Sequence, residues 1–439
     1  MNNNFSPRRA AHASLISIEK NGRYSNLEID SMISQGSSGA SDADKALYTR
    51  LVYGVTERRL TLDYIISYLS SRKLKDIDPA TLTSIRLGLY QLIYTDRIPD
   101  FAAVSETVDT APSRSRGFVN GVLRTFLRKN KKFDLPNGTT PEALSVRYSV
   151  SADICRSLSE SYGAQTAEEI LASLNAQSRI CLRINTCTLS VSDAENCLKD
   201  AGITTSSSKY CGDVLCITNL TDAVRHGIER GDWFVQDEAS RICTLVLGAK
   251  PLETVADTCS APGGKAFSAA MDMKGSGRLF AFDLHENKIS LIKKGAERLG
   301  LANIEASCRD AGKPSPELYG LCDRVLCDAP CSGFGVLSKK PDIRYKNLKD
   351  FARLPDVQYR VLCGAAEYVK QGGILVYSTC TLNRRENEEV VQRFLAGHGG
   401  FSPCDFTAGE LSSNGGMLTL FPHITETDGF FIAKMTKVK

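Results

Sequence analysis

The sequence predicts a multidomain protein: an all-α N-terminal domain, then a small α+β module, then a doubly wound, Rossmann-like α/β domain. Two patterns in the 439 residues carry this prediction. Apolar residues recur at helical spacing through the first 130 residues, and after about residue 250 short apolar runs alternate with helical segments. Alternation of the second kind is typical of a parallel sheet covered by helices.

The first 130 residues contain segments with clear helical periodicity. Residues 46–69 place apolar side chains three and four positions apart, and Ser41 and Asp42 are candidate N-caps ahead of them. Two further helices are predicted at 81–94 and 117–128. Because no strand-like alternation competes with these patterns, we predict that this region is entirely helical.

A turn-rich stretch at 134–141 separates the helical region from a segment in which both periodicities occur. The helices and strands predicted within that segment are at 153–174, 180–185, 192–201 and 213–217. We therefore predict three domains, which lie at residues 1–133, 142–235 and 236–439.

Short apolar runs after residue 250 predict the strands of the third domain. They lie at 254–259, 278–283, 304–308, 324–328 and 373–378. Most of them end in or beside a polar residue. Because ligands bind beyond the carboxyl ends of the strands in such sheets, we expect these polar residues to form the functional site.

The net charge of +4 is unevenly distributed along the chain. Residues 1–132 contain 20 Lys and Arg against 13 Asp and Glu. On charge alone, this excess predicts either an electrostatic surface for nucleic acid or an ordinary solvated helical surface.

The fifteen cysteines, without an apolar leader ahead of them, predict a reduced, cytoplasmic protein in which most thiols are buried. Cys322, Cys327 and Cys331 are close in sequence but lack the C-x2-C spacing of zinc sites, so no metal is expected. No apolar run is long enough to span a membrane, so no membrane partner is expected either.

The run DTCSAPGGK at 257–265 follows the first predicted strand of the third domain and precedes a helix. Its adjacent glycines let the backbone approach a ligand closely, and a helix N-terminus offers unpaired N–H groups. The spacing is neither that of a P-loop nor G-x-G-x-x-G. The pattern favours a cofactor-binding loop over a structural turn. We call the following residues the cofactor loop: Cys259, Ser260, Ala261, Pro262, Gly263, Gly264 and Lys265.

Two aspartates follow the next predicted strands. Asp283 ends the second strand, where an acidic residue commonly binds ribose hydroxyls in nucleoside-binding α/β folds. Asp310 lies just after the third strand, in a position suited to an adenine edge. Each of them has a second interpretation, since an aspartate after a strand often caps the following helix.

Two cysteines lie at the same predicted edge of the sheet. Cys331 belongs to the run DAPCSGFG, which begins at Asp328, and Cys380 belongs to the run STCT. A single cysteine is most often inert in a protein core. Two cysteines at adjacent strand ends, one of them just after an aspartate and a proline, instead favour covalent chemistry.

One reaction that needs two cysteines and an aspartate is methylation of cytosine at carbon 5. That carbon is a poor nucleophile until a thiolate adds to carbon 6, and a base must later remove the carbon 5 proton so that the thiolate can leave. An acid group must also engage ring N3 and the amino edge. A cysteine, an aspartate and a second cysteine supply these roles.

The runs CSAPGGK, DAPCSGFG and YSTCTLNRRENEEVV together resemble the RNA cytosine-5 methyltransferase family. Further runs resemble one branch of it, the bacterial 16S rRNA enzymes of the RsmB/Sun/Fmu type. These are QDEAS at 236–240, KPDI at 340–343 and TDGFF at 427–431. GFVNGVLR at 117–124 is similar to a helix of a NusB-like domain, an RNA-binding helical fold.

The resemblance implies specific roles for the candidate residues. Cys380 takes the place of the nucleophile, Cys331 assists product release, and Asp328 contacts the target base and the cofactor. The cofactor is S-adenosylmethionine, bound by a class I methyltransferase domain through the cofactor loop, with Asp283 at the ribose and Asp310 at the adenine. Two positions differ from the family pattern: threonine is frequent at Ala266, and arginine is frequent at Lys288.

The resemblance also implies the partner. The substrate is 16S rRNA, either free or within an assembling small ribosomal subunit, and we expect a cytoplasmic monomer that acts on neither DNA nor membranes. Two alternatives remain open. One is the same reaction on tRNA or large-subunit rRNA, and the other is a non-catalytic RNA-binding assembly factor.

Overall fold

The computed structural model describes residues 5–36, 40–175 and 179–438. The chain forms two compact units. Unit 1 comprises Met1–Leu174 together with Leu337–Leu348, and unit 2 comprises Asn175–Val336 together with Lys349–Lys439. The domain boundaries at 133, 142 and 235 stay a prediction, because the structure divides the chain at other points.

Unit 1 is built from helices, as predicted. They are α1 (Pro7–Asn21), α2 (Ser25–Gly36), α3 (Asp42–Glu57), α4 (Arg59–Leu69), α5 (Pro79–Tyr94), α6 (Asp100–Val108), α7 (Arg116–Arg128), α8 (Pro141–Tyr148), α9 (Ala152–Tyr162) and α10 (Ala164–Ser173). The centre of the unit is α5, which is buried on every side along most of its length. Its buried Arg86 is neutralised by Asp63, whose carboxylate lies 2.6 Å away.

Each of two predicted helices is divided into two shorter helices in the structure. The segment 46–69 is interrupted at Arg58, whose ψ of 13° is not helical, and the segment 153–174 is interrupted at Gly163, whose φ is +85°. Sequence periodicity did not reveal these breaks, because a single-residue interruption preserves the spacing of apolar residues on both sides. Of the two candidate N-caps, Ser41 caps α3 in a capping box with Asp44, whereas Asp42 is the first residue of the helix.

The helix predicted at 153–174 in the small α+β module belongs to unit 1, and unit 2 begins with the rest of that module. Its elements are β1 (Ile180–Ile184), α11 (Val191–Asp200), β2 (Ser206–Ser207), β3 (Val214–Ile217), α12 (Asp222–Arg230) and β4 (Trp233–Val235). The strands form an antiparallel sheet in the order β2-β3-β1-β4. Trp233 is 2% exposed and donates a 3.0 Å hydrogen bond from Nε1 to the carbonyl of Val224.

The rest of unit 2 forms a doubly wound domain. Its first half contains α13 (Glu238–Leu247), β5 (Thr254–Asp257), α14 (Gly264–Asp272), β6 (Arg278–Asp283), α15 (Glu286–Arg298), β7 (Ile304–Cys308) and β8 (Cys322–Asp328). Its second half contains α16 (Leu354–Tyr368), β9 (Val369–Thr379), α17 (Glu388–Gly397), β10 (Phe401–Pro403), β11 (Thr407–Ala408), β12 (Leu411–Ser412), β13 (Met417–Leu420), α18 (Pro422–Thr425) and β14 (Phe430–Lys437).

The large sheet has the order β10-β14-β9-β8-β5-β6-β7, and β13 also pairs with β14. Strands β5 to β9 are parallel, which confirms the predicted parallel sheet. The strands β10, β13 and β14 add an antiparallel edge. Apolar cores lie on both faces of the sheet, so the polar residues at its carboxyl edge are held by a rigid support.

The segment 337–348 lies between β8 and β9 in sequence but belongs to unit 1. Arg344 is 1% exposed and donates hydrogen bonds to the carbonyls of Leu337 and Glu57, at 2.9 and 3.1 Å. Asp342 accepts hydrogen bonds from the backbone and hydroxyl of Ser25. The KPDI run predicted within the third domain is therefore part of the helical unit. Across the described ranges, no helix is long and apolar enough to cross a bilayer.

We predict that replacing Gly227 by alanine destabilises the small module. A Cβ at this position in α12 would lie 2.0 Å from the ring of Trp233, so the substitution should cost about 1–3 kcal/mol through overpacking. Gly121 in α7 is the matched control, because nothing lies within 4 Å of its added Cβ. Alanine there should stabilise the helix by up to about 1 kcal/mol.

Thermal unfolding followed by circular dichroism measures both variants. The fluorescence of Trp233, the single tryptophan of the chain, reports on the module itself. Equal stability of the two variants would show that the contact between Gly227 and Trp233 does not constrain the fold.

Candidate active site

The predicted site residues converge on the carboxyl edge of the large sheet. Strand β5 lies between β6 and β8, so the winding direction changes at β5, where ligands bind in doubly wound sheets. Asp283 ends β6 and Asp328 ends β8. Asp310 follows β7, and Cys380 follows β9. The structure therefore brings together at one edge the groups that lie far apart in sequence.

The cofactor loop connects β5 to α14 in a fixed conformation. The backbone N–H of Ser260 donates to the carbonyl of Phe282 at 2.7 Å, and that of Gly263 donates to the carbonyl of Ser260 at 2.7 Å. Gly263 has a φ of +114°, and a Cβ there would meet the ring of Phe267 at 2.3 Å. The chain therefore needs glycine at this position for two independent reasons.

Asp283 and Asp310 lie beside this loop. The carboxylate of Asp283 accepts hydrogen bonds from the backbone of Ala261 at 3.3 Å and of His285 at 3.1 Å. Lys288 Nζ lies 3.8 Å from the same carboxylate, so a lysine at this position still pairs with Asp283. His285, not Asp283, occupies the N-cap position of α15. Asp310 is half-buried and accepts a 2.9 Å bond from the backbone of Gly312.

Buried polar atoms at the loop fit the expected cofactor. Asp257 is 2% exposed, and within the described residues its Oδ2 has no hydrogen-bond partner. The hydroxyl of Ser260 is likewise buried without a partner in that part of the chain. Burial and the nearby charge of Asp328 raise the pKa of Asp257 to about 7. Ammonium and hydroxyl groups, which S-adenosylmethionine carries, can satisfy such atoms.

Asp328 is held by two side chains. Lys265 Nζ lies 2.7 Å from Oδ2, and the hydroxyl of Ser378 donates to Oδ1 at 2.7 Å. Burial acts to lower the pKa of Lys265, but the charges of Asp328 and Cys243 act the other way, and the net effect raises that pKa above its ordinary value. Lys265 therefore remains a cation at neutral pH and fixes the orientation of the aspartate.

The two cysteines of the site are in contact. The Sγ atoms of Cys331 and Cys380 lie 3.2 Å apart. The loops that carry these cysteines follow β8 and β9 and begin at the same height of the sheet, because Asp328 of β8 is in register with Ser378 of β9. Contact with Cys380, burial and the charge of Glu386 raise the pKa of Cys331 well above its ordinary value. Cys331 is therefore a neutral thiol that can donate its S–H to the sulfur of Cys380.

The loops that follow the two cysteines are joined by Glu386, which is fully buried. The hydroxyls of Ser332 and Thr381 lie 2.8 Å apart. Glu386 accepts from the hydroxyl and backbone of Ser332, from Gln358 Nε2 at 2.9 Å and from Asn383 Nδ2 at 2.8 Å. We call these residues the Glu386 bracket. The sequence does not reveal this role, because a buried glutamate inside the charged run RRENEE has no distinguishing signal.

A glycine contact holds the other side of the same loops. The N–H of Gly335 donates to the carbonyl of Cys380 at 3.0 Å, and the carbonyl of Gly335 accepts from Gly429 at 2.9 Å. A Cβ on Gly335 would lie 1.8 Å from the carbonyl oxygen of Gly429. The backbone on both sides of the cysteine pair is therefore closely fixed.

Models of known families match most of the chain. The model described as 16S rRNA methyltransferase RsmB/F matches residues 244–436. A NusB family model matches residues 6–128, and a ferredoxin-like domain model of the RsmF/B-like methyltransferases matches residues 154–223. The three matches follow the helical, α+β and doubly wound parts of the chain in order.

Individual proteins are similar over nearly the full length. The chain is 37% identical over 445 residues to a Bacillus subtilis protein named probable ribosomal RNA small subunit methyltransferase B, covering 98% of this chain and 99% of the relative. It is 31% identical over 404 residues to ribosomal RNA small subunit methyltransferase B of Sodalis glossinidius, covering 90% of each. The crystal structure of a methyltransferase homolog protein from Pyrococcus horikoshii has a TM-score of 0.60 and 27% identity, covering 69% of this chain and 100% of that one.

We predict that Glu386→Gln loosens the loops that carry the two cysteines. The glutamine side chain places an amide donor opposite groups that are themselves donors, so the variant should lose about 1–3 kcal/mol of stability. Cys331 and Cys380 should then react several-fold faster with iodoacetamide. Peptide mass spectrometry measures the reaction, and thermal unfolding measures the stability.

Glu389→Gln is the matched control, because Glu389 lies in α17 three positions away and is exposed. This control variant should change neither the alkylation rate of the two cysteines nor the stability of the protein. Equal alkylation rates in Glu386→Gln and the unmodified protein would contradict a restraining role for the bracket.

Proposed function

The chain belongs to the RsmB/F family of 16S rRNA methyltransferases, and on this basis we propose that it methylates carbon 5 of a cytosine in small-subunit rRNA. Membership of this family makes it an S-adenosylmethionine-dependent rRNA methyltransferase. The choice of carbon 5 rests on one observation, which is the contact of two cysteine sulfurs beside Asp328. Methylation of an exocyclic nitrogen or of ribose has no need for such a pair.

In the proposed reaction, Cys380 Sγ adds to carbon 6 of the target cytosine. Asp328 engages ring N3 and the amino edge and passes the thiol proton of Cys380 to N3, so that the ring can hold the electron pair that the addition displaces. The bonds from Lys265 and Ser378 support this role, because they leave Asp328 a single orientation at the end of β8. Carbon 5 then carries the electron density needed to attack a methyl group.

S-adenosylmethionine supplies that methyl group from its sulfonium centre. We propose that it is bound by the cofactor loop, with Asp283 at the ribose hydroxyls and Asp310 at the adenine edge. The glycine pair allows close backbone approach, and the unsatisfied atoms of Asp257 and Ser260 provide polar partners.

Cys331 is proposed to act in product release. Negative charge on Cys380 contributes to the raised pKa of Cys331, so in the unreacted enzyme Cys331 retains its proton. Once Cys380 is bonded to carbon, that charge is lost and Cys331 becomes more acidic. It can then lose its proton to solvent and, as a thiolate, accept the carbon 5 proton. The bond between Cys380 and carbon 6 then breaks, and its electron pair returns to the sulfur of Cys380.

The RNA is proposed to contact unit 1 and the small module as well. Its target base must leave the stack, since carbon 6 is not accessible to a thiol inside a helix. Helix α7 buries Val119, Val122, Leu123 and Phe126 and leaves the basic residues of its far side exposed. Those cations can neutralise phosphates of the same RNA. We propose a monomer that acts in the cytoplasm on rRNA and not on DNA.

The covalent mechanism predicts different outcomes for the two cysteines. With labelled S-adenosylmethionine and unmodified small-subunit rRNA, the unaltered enzyme should form 5-methylcytosine. Cys380→Ala should reduce the rate at least a thousandfold, because no adduct forms. Cys331→Ala should accumulate a protein–RNA adduct, visible as a band of lower mobility under denaturing conditions.

Cys404→Ala is the control, because Cys404 is a partly exposed thiol that lies after β10, away from the site. It should retain full activity. Methylation by Cys380→Ala at the normal rate would refute the covalent assignment. Formation of a different methylated nucleoside by the unaltered enzyme would refute the choice of carbon 5.

A second prediction concerns salt. Affinity for rRNA should fall steeply between 50 and 200 mM salt, roughly as expected for several released counterions, while cofactor affinity should change by less than about twofold. Arg124→Gln with Lys132→Gln should reduce the magnitude of the log–log salt slope by about 1.4. Filter binding and calorimetry measure the two affinities.

Lys274→Gln is the control, because this exposed lysine precedes β6 at the opposite edge of the sheet. It should leave the salt slope unchanged. A flat salt response of the unaltered protein would mean that the basic surface of unit 1 does not hold phosphates.

A further inference from the structure

A second group of reactive side chains lies where the small module meets α13, away from the cysteine pair of the candidate site. Cys181 of β1 and Cys216 of β3 are directly paired across the antiparallel ladder. Glu238 is the first residue of α13 and lies against both of them. The three side chains are 6%, 2% and 3% exposed. The proposed methyl transfer makes no use of this group.

The two cysteine sulfurs and one carboxylate oxygen of Glu238 are spaced as three ligands of a single metal ion would be. The two Sγ atoms are 3.5 Å apart, and Glu238 Oε2 lies 3.8 Å from Cys181 and 3.9 Å from Cys216. A point equidistant from all three is about 2.2 Å from each, which matches zinc–sulfur bonds of about 2.3 Å and zinc–oxygen bonds of about 2.0–2.2 Å. The positions are fixed by a strand pair and by the first turn of a helix.

The surroundings leave the charge of Glu238 poorly compensated. Thiols are weak donors, and those of Cys181 and Cys216 face Oε2. The nearest guanidinium, that of Arg179, lies 3.9 Å from the same oxygen and is 39% exposed. The hydroxyl of Ser208 donates to the other oxygen, Oε1, and so orients the carboxylate toward the sulfurs. A divalent cation would convert the two thiols from weak donors into strong ligands.

We propose that Cys181, Cys216 and Glu238 bind a zinc ion as a structural site of the small module. Two thiolates and a carboxylate are a ligand set that zinc accepts, and a water or the second carboxylate oxygen completes a four-coordinate shell. Binding releases the two thiol protons, so affinity falls as the pH is lowered.

The site would fasten the small module to the start of the doubly wound domain. The backbone of Gln236 donates to the carbonyl of Cys181 at 3.0 Å. The side chain of Gln236 bonds Gly264 at 2.9 Å and Ser268 at 2.7 Å, both in α14. The ion would therefore stabilise the strands to which the first turn of α14 is tied.

Metal content provides the test. The full-length protein is freed of metal with a chelator under reducing conditions, incubated with zinc sulfate, dialysed, and analysed by mass spectrometry of its metals. We expect about one zinc per chain and a raised unfolding temperature. Cys181→Ser with Cys216→Ser should retain less than about a tenth of that zinc. Cobalt in place of zinc should give the thiolate-to-metal absorption band of two cysteine ligands.

Two further variants show whether zinc binds at this site or at the other cysteine pair. Cys331→Ser with Cys380→Ser removes the other contacting cysteine pair and should still bind one zinc. Glu238→Gln retains the size of the side chain and should weaken zinc binding at least tenfold, while the fluorescence of Trp233 confirms that the module is folded. The proposal is overturned if the unaltered protein takes up no zinc, or if its zinc is lost with the Cys331 and Cys380 pair instead.

Discussion

The parallel pairing of β8 with β9 is the constraint on which the candidate site depends. Because Asp328 is in register with Ser378, the loops that follow these strands leave the sheet at the same height and carry Cys331 and Cys380 into contact. Glu386 then restrains both loops through a single buried carboxylate. A shift of one residue in this register would turn alternate side chains to the other face and separate the two thiols.

Charge at the strand ends is balanced before any ligand binds. Two carboxylates, Asp257 and Asp328, share the neighbourhood of Lys265, and burial together with Asp328 raises the pKa of Asp257 to about 7. Asp257 can therefore take up or release one proton near neutral pH.

The sequence predicted the backbone of the site well and its internal restraints poorly. The parallel strands and the clustering of Asp328, Cys331 and Cys380 followed from apolar runs that end in reactive residues. The breaks at Arg58 and Gly163 did not follow, because periodicity continues across a one-residue interruption. The role of Glu386 could not be predicted, since burial of a charge depends on contacts between residues distant in sequence. The roles assigned to individual site residues stay predictions.

The segment 337–348 has a consequence for how the protein is made. Unit 1 is not complete when residue 174 has been synthesised, since Arg344 fills a buried position in it and bonds the end of α3. A ribosome must translate the small module and strands β5 to β8 before that position can be filled. The helical unit therefore remains unfinished through much of elongation, and a gene fragment encoding it alone would expose the surface that Arg344 and Leu337 cover.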